Sequence, residues 1–228
     1  MLKEVVNKIN ANPNMSADIF VRNIKKYQAE YEGGLEEKMV VYQCDLYSEE
    51  IIEKLCASNE KYSGFIYAAG VSDLTLVRHM TRKKLLDVYE INFIKPLLII
   101  KTLIEKSCLK FGANVIFLSS VSGINNVAPG ISSYSTSKAA LNNLVKVLAL
   151  ENIKTKIKIN TVCPGIVKTE FVKSVVDMSQ ERGGPILNRY PHGFGMPNDI
   201  SPIIWHLLTE NTWINGQNIT TDGGFSVT

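Results

Sequence analysis

Short runs of β-branched and aromatic residues recur along the chain, separated by stretches whose apolar positions repeat at helical spacing. The runs are DIFV at 18, MVVYQC at 39, GFIYAA at 64, NVIFLS at 114, IKINTVC at 157 and NITTD at 218. Strands alternating with helices predict an α/β fold: a mostly parallel, doubly wound, Rossmann-like sheet with helices on both faces. Leu2, Val5, Val6 and Ile9 follow i, i+3, i+4, i+7 spacing, so the first element is predicted to be an amphipathic helix and not a strand. Ser48, followed by Glu49 and Glu50, predicts another helix start, with a capping hydroxyl and acidic residues that suit the helix dipole. Repeats, low-complexity tracts and linkers are absent from the pattern, so residues 1–228 read as one domain.

Composition adds boundaries to this picture. With 228 residues, 45% hydrophobic and 21% charged, the chain has the size and balance of an α/β domain with a substantial core. A net charge of +3, with both signs scattered, supplies no basic tract to follow a phosphate backbone, so nucleic acid is not the indicated partner. The start MLKEVVNKIN does not resemble a signal peptide. The most apolar segment, Pro96 to Ile104, is interrupted by Lys101 and too short to span a bilayer, so no membrane association is expected. Cys44, Cys56, Cys108 and Cys163 form no C-x-x-C pair and mostly sit in apolar runs; they are expected to be buried thiols of a cytoplasmic protein, with no metal site.

Tyr134 and Lys138 stand four apart in YSTSK and lead into the helix-compatible AALNNLVKVLAL, which sets both side chains on one helical face about one turn apart. A phenol titrates near pH 10, so proton exchange near neutrality needs its pKa lowered by roughly three units, about 4 kcal/mol. An adjacent ammonium is one source of that shift; taken alone, the pair reads more simply as a solvated helix face. Upstream, NVIFL runs into Ser119-Ser120-Val121-Ser122-Gly123, setting hydroxyls at the carboxyl end of a strand, where α/β sheets bind ligands. Ser120 there is either a contact for a substrate oxygen or an ordinary turn serine. INTVCPGIVKT leads from a buried strand into a Pro-Gly turn at the same sheet edge.

In order, Asp45-Leu46 follows one strand, Tyr67-Ala68-Ala69-Gly70 follows the next, and Asn92 lies in a helix. Ser120, Tyr134-x-x-x-Lys138, Pro164-Gly165-x-Val167-x-Thr169, Asn215-Gly216-Gln217 and Asp222-Gly223-Gly224 come after. From about residue 18 to the C-terminus this series resembles the short-chain dehydrogenase/reductase family, most nearly its 3-oxoacyl carrier-protein reductases and relatives associated with surface-polysaccharide synthesis. The resemblance implies an oxidoreductase that moves a hydride between NADP(H) and a small carbonyl or alcohol substrate, NAD being possible. By the same resemblance Tyr134 is general acid in reduction and base in oxidation, and Ser120 polarises the substrate oxygen. Lys138 lowers the Tyr134 pKa and holds the nicotinamide ribose, and Asn92 anchors a water that relays protons. Pro96 lacks the N–H that would bond the carbonyl of residue 92; it either frees that carbonyl for water or simply kinks a long helix.

The resemblance also assigns Asp45 to the adenine amino group and Ala69 and Gly70 to close backbone approach, with Leu46 and Ala68 among the cofactor-binding residues. It places Val167 and Thr169 against the nicotinamide carboxamide and counts Pro164 and Gly165 among the cofactor-binding residues. Arg22 follows the DIFV strand, where this fold uses an arginine for the 2′-phosphate of NADP; it reads equally as a solvated charge. Residues from about 170 to 195, with ERGGP and HGFG, are expected to form a mobile lid, and the chain to assemble as a homodimer or homotetramer.

Two features depart from the family pattern. The family opens with a strand and a Thr-Gly-x-x-x-Gly-x-Gly phosphate turn, and neither is present; the Leu2–Ile9 helix resembles the one after that turn. In the strand order 3-2-1-4-5-6, losing the first strand leaves two interior strands without their shared neighbour, so a strained fold is expected. A longer parent chain is the expected explanation, ahead of a non-catalytic binding or regulatory paralogue and of a partner chain that supplies the strand. Tyr67-Ala68 stands where the family commonly has two asparagines, which should alter packing under the adenine side.

Overall fold

The computed structural model describes residues 2–227 except 30, 32–33, 49, 58–59 and 170–188. All six apolar runs form strands. β1 (Ala17–Val21) and β2 (Met39–Gln43) make a two-stranded sheet; β3 (Tyr62–Tyr67), β4 (Leu109–Leu118), β5 (Lys158–Pro164) and β6 (Asn218–Thr221) make a second sheet in that order. Every pairing is parallel.

The break falls between β1 and β3, the strands expected to lose a shared neighbour, and among the described residues no ladder joins them. Side chains link the two sheets instead. The Tyr62 hydroxyl donates to Asp18 Oδ2 at 2.6 Å, and burial together with that carboxylate pushes the phenol up. Phe20 of β1 packs against the core cluster that contains Tyr67 and Phe117, while Met39 of β2 shares a cluster with Ile116 and Leu118.

The period-2 alternation of β4 divides the core. Ile116 and Leu118 face α1 (Lys3–Ala11) and α7 (Pro197–Thr209), packing with Val5, Ile9, Ile204 and Leu207. Val115 and Phe117 face the other layer, where Leu55, Ile99, Leu103, Leu141 and Val145 come from α3 (Glu50–Leu55), α5 (Lys95–Glu105) and α6 (Ser132–Glu151). Helices on both faces make the arrangement doubly wound. Among the described residues no helix is long and apolar enough to cross a membrane.

Local signals explain the element ends. Ser48 Oγ accepts from the Glu50 N–H at 3.1 Å, as the capping pattern requires. α2 (Ile24–Ala29) is a short helix between β1 and β2. α4 (Arg82–Tyr89) passes into α5 through a π-helical turn, Glu90–Ile94, in which the Lys95 N–H returns to the Glu90 carbonyl. Pro96 occupies the first turn of α5, where its missing N–H is tolerated. The helical path is therefore continuous through Pro96 and absorbs it as a one-residue bulge.

The cysteines correct one expectation. Cys44 and Cys163 are buried thiols, but Cys56 and Cys108 are half-exposed and in contact, because the end of α3 and the start of β4 meet at the amino ends of the strands.

Candidate active site

Ser119 and Ser120 leave the carboxyl end of β4, and a 3₁₀ turn over Val121–Gly123 carries the chain back beneath α6. Gly123 makes that approach possible. A Cβ there would lie 2.7 Å from the Lys138 carbonyl carbon and 2.8 Å from the Ala139 nitrogen, backbone atoms that have nowhere to go. The result is convergence: Ser120 and Tyr134 share a side-chain hydrogen bond, and Ser120 Oγ accepts from the Ser122 N–H at 3.1 Å. Lys138 is 3% exposed; its Nζ donates to the Leu118 carbonyl at 2.7 Å and lies 5.9 Å from the Tyr134 ring centroid.

Asn92, in the π turn, is fully buried and clasps Val71. Its Oδ1 accepts from the Val71 N–H at 2.9 Å, and its Nδ2 donates to the Val71 carbonyl at 2.9 Å and to Ser137 Oγ at 3.0 Å. Ser137 Oγ in turn donates to the Tyr134 carbonyl at 2.7 Å, tying the Asn92 amide to the helix that presents Tyr134 and Lys138. Gly70 closes the group: a Cβ there would stand 3.5 Å from both Asn92 Oδ1 and Lys138 Nζ.

The titration of these groups differs from the sequence expectation. Burial pushes the Tyr134 phenol up, and the bond from Ser120 offsets this only in part. Lys138 lies 5.9 Å from the centre of the Tyr134 ring, and its ammonium bonds the Leu118 carbonyl. Burial also brings Lys138 down to about 8.

The remaining candidates lie along the carboxyl ends of the strands. Arg22 and Asp45 are exposed at the ends of β1 and β2, across the sheet break from Tyr134; Asp45 Oδ1 accepts from the Tyr47 N–H at 3.0 Å. Leu46 packs partly buried against the core. Ala68 is exposed, Ala69 and Gly70 are half-buried, and Pro164 is buried at the end of β5. A Cβ on Gly165 would lie 2.9 Å from the Asp222 Cβ, so the Pro-Gly turn packs tightly on the C-terminal segment. Val167 bridges Gly195, and Thr169 Oγ1 donates to the Val167 carbonyl at 3.3 Å. A cleft of about 290 Å³ opens beneath this turn, lined by Gly165, Val167, His192, Phe194 and Asp222.

A family profile described as Enoyl-(Acyl carrier protein) reductase matches residues 15–226. The chain belongs to the short-chain dehydrogenase/reductase (SDR) family. A 3-oxoacyl-acyl-carrier-protein reductase of Rickettsia bellii (strain RML369-C) is 28% identical over 192 residues, covering 83% of this chain and 78% of that protein. The crystal structure of a short chain dehydrogenase family protein from Francisella tularensis subsp. tularensis SCHU S4 superposes with a TM-score of 0.85 at 23% identity, covering 99% of this chain and 94% of that one. ElxO with NADP bound superposes with a TM-score of 0.80 at 24% identity, covering 99% and 92%.

Several parts of this arrangement escape sequence reading. Val71 acts through its backbone, and Ser137 lies inside YSTSK without distinguishing itself from its neighbours. Tyr67, one of the departures from the family pattern, is buried and donates its hydroxyl to the Ile91 carbonyl at 2.7 Å, pinning the π turn that carries Asn92. Tyr190 accepts from the Ile166 N–H at 3.0 Å and stacks on Phe225 with centroids 4.2 Å apart. The expected lid lies outside the described residues from 170 to 188; its end, Arg189 to Gly195, includes Arg189 against the Phe225 ring at 4.7 Å.

Proposed function

We propose that this SDR reduces a carbonyl group, or oxidises the corresponding alcohol, with NADP(H) as hydride carrier and a 3-oxoacyl thioester as the substrate class. The meeting of Ser120, Tyr134 and Lys138 at the end of β4 carries this reading. The Rickettsia reductase supports the substrate class, and the NADP-bound neighbour supports the cofactor.

The residues fit a nicotinamide ribose. An ammonium has three N–H donors, and Lys138 is buried with one hydrogen bond to the Leu118 carbonyl, which leaves capacity that ribose hydroxyls would take up. Gly70 keeps the neighbouring backbone free of a side chain against that ammonium. When bound, the nicotinamide supplies or accepts the hydride. At the other end, exposed Arg22 suits the 2′-phosphate of NADP, and Asp45 suits the adenine amino group. Ala68, Ala69, Pro164, Gly165, Val167 and Thr169 belong to the same reading as the walls of the dinucleotide site.

In the reducing direction Ser120 donates to the substrate oxygen and Tyr134 transfers its proton there. A phenol held above its ordinary range by burial keeps that proton until the oxygen becomes basic. The positive charge of Lys138 near the ring then stabilises the phenolate left behind. Pro96 cannot donate to the Asn92 carbonyl, so that carbonyl serves to anchor the water that returns a proton. The intact Ser120–Tyr134 bond speaks against a purely non-catalytic paralogue. A cytoplasmic homodimer or homotetramer belongs to the same reading; Leu150 and Trp213, exposed at 70% and 94%, are apolar surface a second copy would cover.

Titration of the full chain with NADPH, followed by nicotinamide fluorescence, tests this. Saturable binding is expected, weakened by Lys138→Ala; no binding of either NADPH or NADH overturns the reading.

A further inference from the structure

We infer that Cys56 and Cys108 are a thiol pair built to close into a reversible disulfide between the end of α3 and the start of β4. Their Sγ atoms lie 3.2 Å apart across 52 residues of sequence. A disulfide bond is about 2.05 Å long, so closure asks for a sulfur movement of roughly one ångström, within the reach of small side-chain rotations.

Cys108 is held in place by its surroundings. It ends a Schellman motif: its N–H donates to the Leu103 carbonyl at 2.8 Å, and the Ser107 N–H donates to the Ile104 carbonyl at 3.0 Å. Ser107 takes the left-handed conformation this motif requires, with φ 55°. The Cys108 carbonyl then accepts from the Tyr62 N–H at 2.8 Å, which begins the β3–β4 pairing. Cys108 is therefore fixed on both sides of its peptide unit, and Cys56 is the sulfur that adjusts. Cys56 follows α3 in a turn whose N–H bonds the Glu53 carbonyl at 3.3 Å. Both side chains pack on the edge of the core and stay half-exposed, open to a small oxidant, whereas Cys44 and Cys163 are buried at 5% and 0%.

The oxidant is a low-molecular-weight disulfide such as oxidised glutathione. One protein thiolate attacks a sulfur of that disulfide, forming a mixed disulfide and releasing one small thiol. The second protein sulfur then attacks the protein-bound sulfur and releases the second small thiol. The two cysteines lose two protons and two electrons, and the small disulfide gains both pairs as two thiols. The closed form ties α3 to β4 around a loop containing β3, the Asn92 turn and α5. The bridge lies at the amino ends of the strands, opposite Ser120, so its effect falls on stability and not on the proton-transfer groups.

The experiment equilibrates the full chain with mixtures of oxidised and reduced glutathione, traps free thiols with an alkylating agent, and maps the peptides by mass. The expected product lacks two free thiols, carries a Cys56–Cys108 cross-link and no retained glutathione, and reverts with dithiothreitol. Its melting temperature should exceed that of the reduced chain by about 5–10 °C. Cys56→Ser and Cys108→Ser should each stop at a mixed disulfide on the remaining cysteine. Persistent glutathione adducts on the unsubstituted chain, a cross-link involving Cys44 or Cys163, or no thiol loss in oxidising mixtures would overturn the inference.

Discussion

Lys138 donates to the Leu118 carbonyl at 2.7 Å while its ammonium sits 5.9 Å from the centre of the Tyr134 ring. The two residues are one helical turn apart, and the phenol shares a side-chain hydrogen bond with Ser120. Burial therefore governs both groups, raising the phenol and bringing the amine to about 8. This favours a tyrosine that waits protonated, as a proton donor in reduction must.

The first consequence concerns pH and rate. Lys138 is an ammonium below about pH 8 and loses its charge above it. The kcat/KM for reduction of an acetoacetyl thioester by NADPH should fall as pH rises through that value. In Lys138→Arg, whose guanidinium stays charged, any residual activity should lose this alkaline limb. A wild-type profile flat from neutrality into the alkaline range would contradict the assignment.

The same group makes a stability prediction of defined sign. Its folded pKa of about 8 lies below the ordinary 10.5, so across that window the unfolded chain binds more protons than the native one. Stability should therefore rise with pH from about 8 upward; below 8 the full cost of burying the charge remains. Thermal melts should show this rise for the wild type and lack it for Lys138→Met, which should also melt a few degrees higher at neutral pH.

Asn92 holds three hydrogen bonds in a fully buried position, two of them to the backbone of Val71. Asn92→Ala strands the Val71 N–H and carbonyl and should cost about 2–4 kcal/mol in chemical denaturation. Asn92→Asp keeps an acceptor for the Val71 N–H but has no donor for the Val71 carbonyl or Ser137, so it should also destabilise the chain. Wild-type stability in both variants would remove Asn92 from this role.

Arg22 is exposed at the end of β1. If it meets the 2′-phosphate of NADP, Arg22→Glu should weaken NADPH at least about tenfold while leaving NADH within a few-fold, because only the phosphorylated ribose meets the introduced carboxylate. Parallel titrations with the two nucleotides read the ratio directly; an unchanged ratio would return Arg22 to the solvated surface.

How far the sequence reaches can be judged from particular residues. The strands were legible because runs such as NVIFL and INTVC are rich in β-branched and aromatic residues and bounded by turn residues. The break between β1 and β3 was legible because residues 1–228 contain no strand-and-glycine-turn pattern to sit between them. The π turn was not legible: helical periodicity continues through LLDVYEINFIKPLLII, and only Pro96 hints at the bulge. The contact between Cys56 and Cys108 spans 52 residues and has no motif, so only the packing of α3 beside β4 reveals it. The direction of the Tyr134 shift was also hidden, since i, i+4 spacing tells which groups are neighbours but not how deeply they are buried or which atom the amine faces.

The central claim is that the Tyr134 hydroxyl moves the proton while Lys138 and its neighbours hold the nucleotide. The direct test is Tyr134→Phe, with steady-state reduction of an acetoacetyl thioester followed by loss of nicotinamide absorbance and NADPH affinity measured by fluorescence on the same sample. Turnover should fall at least about a hundredfold, with NADPH affinity within about twofold of the wild type. Turnover retained alongside normal NADPH binding would contradict the account.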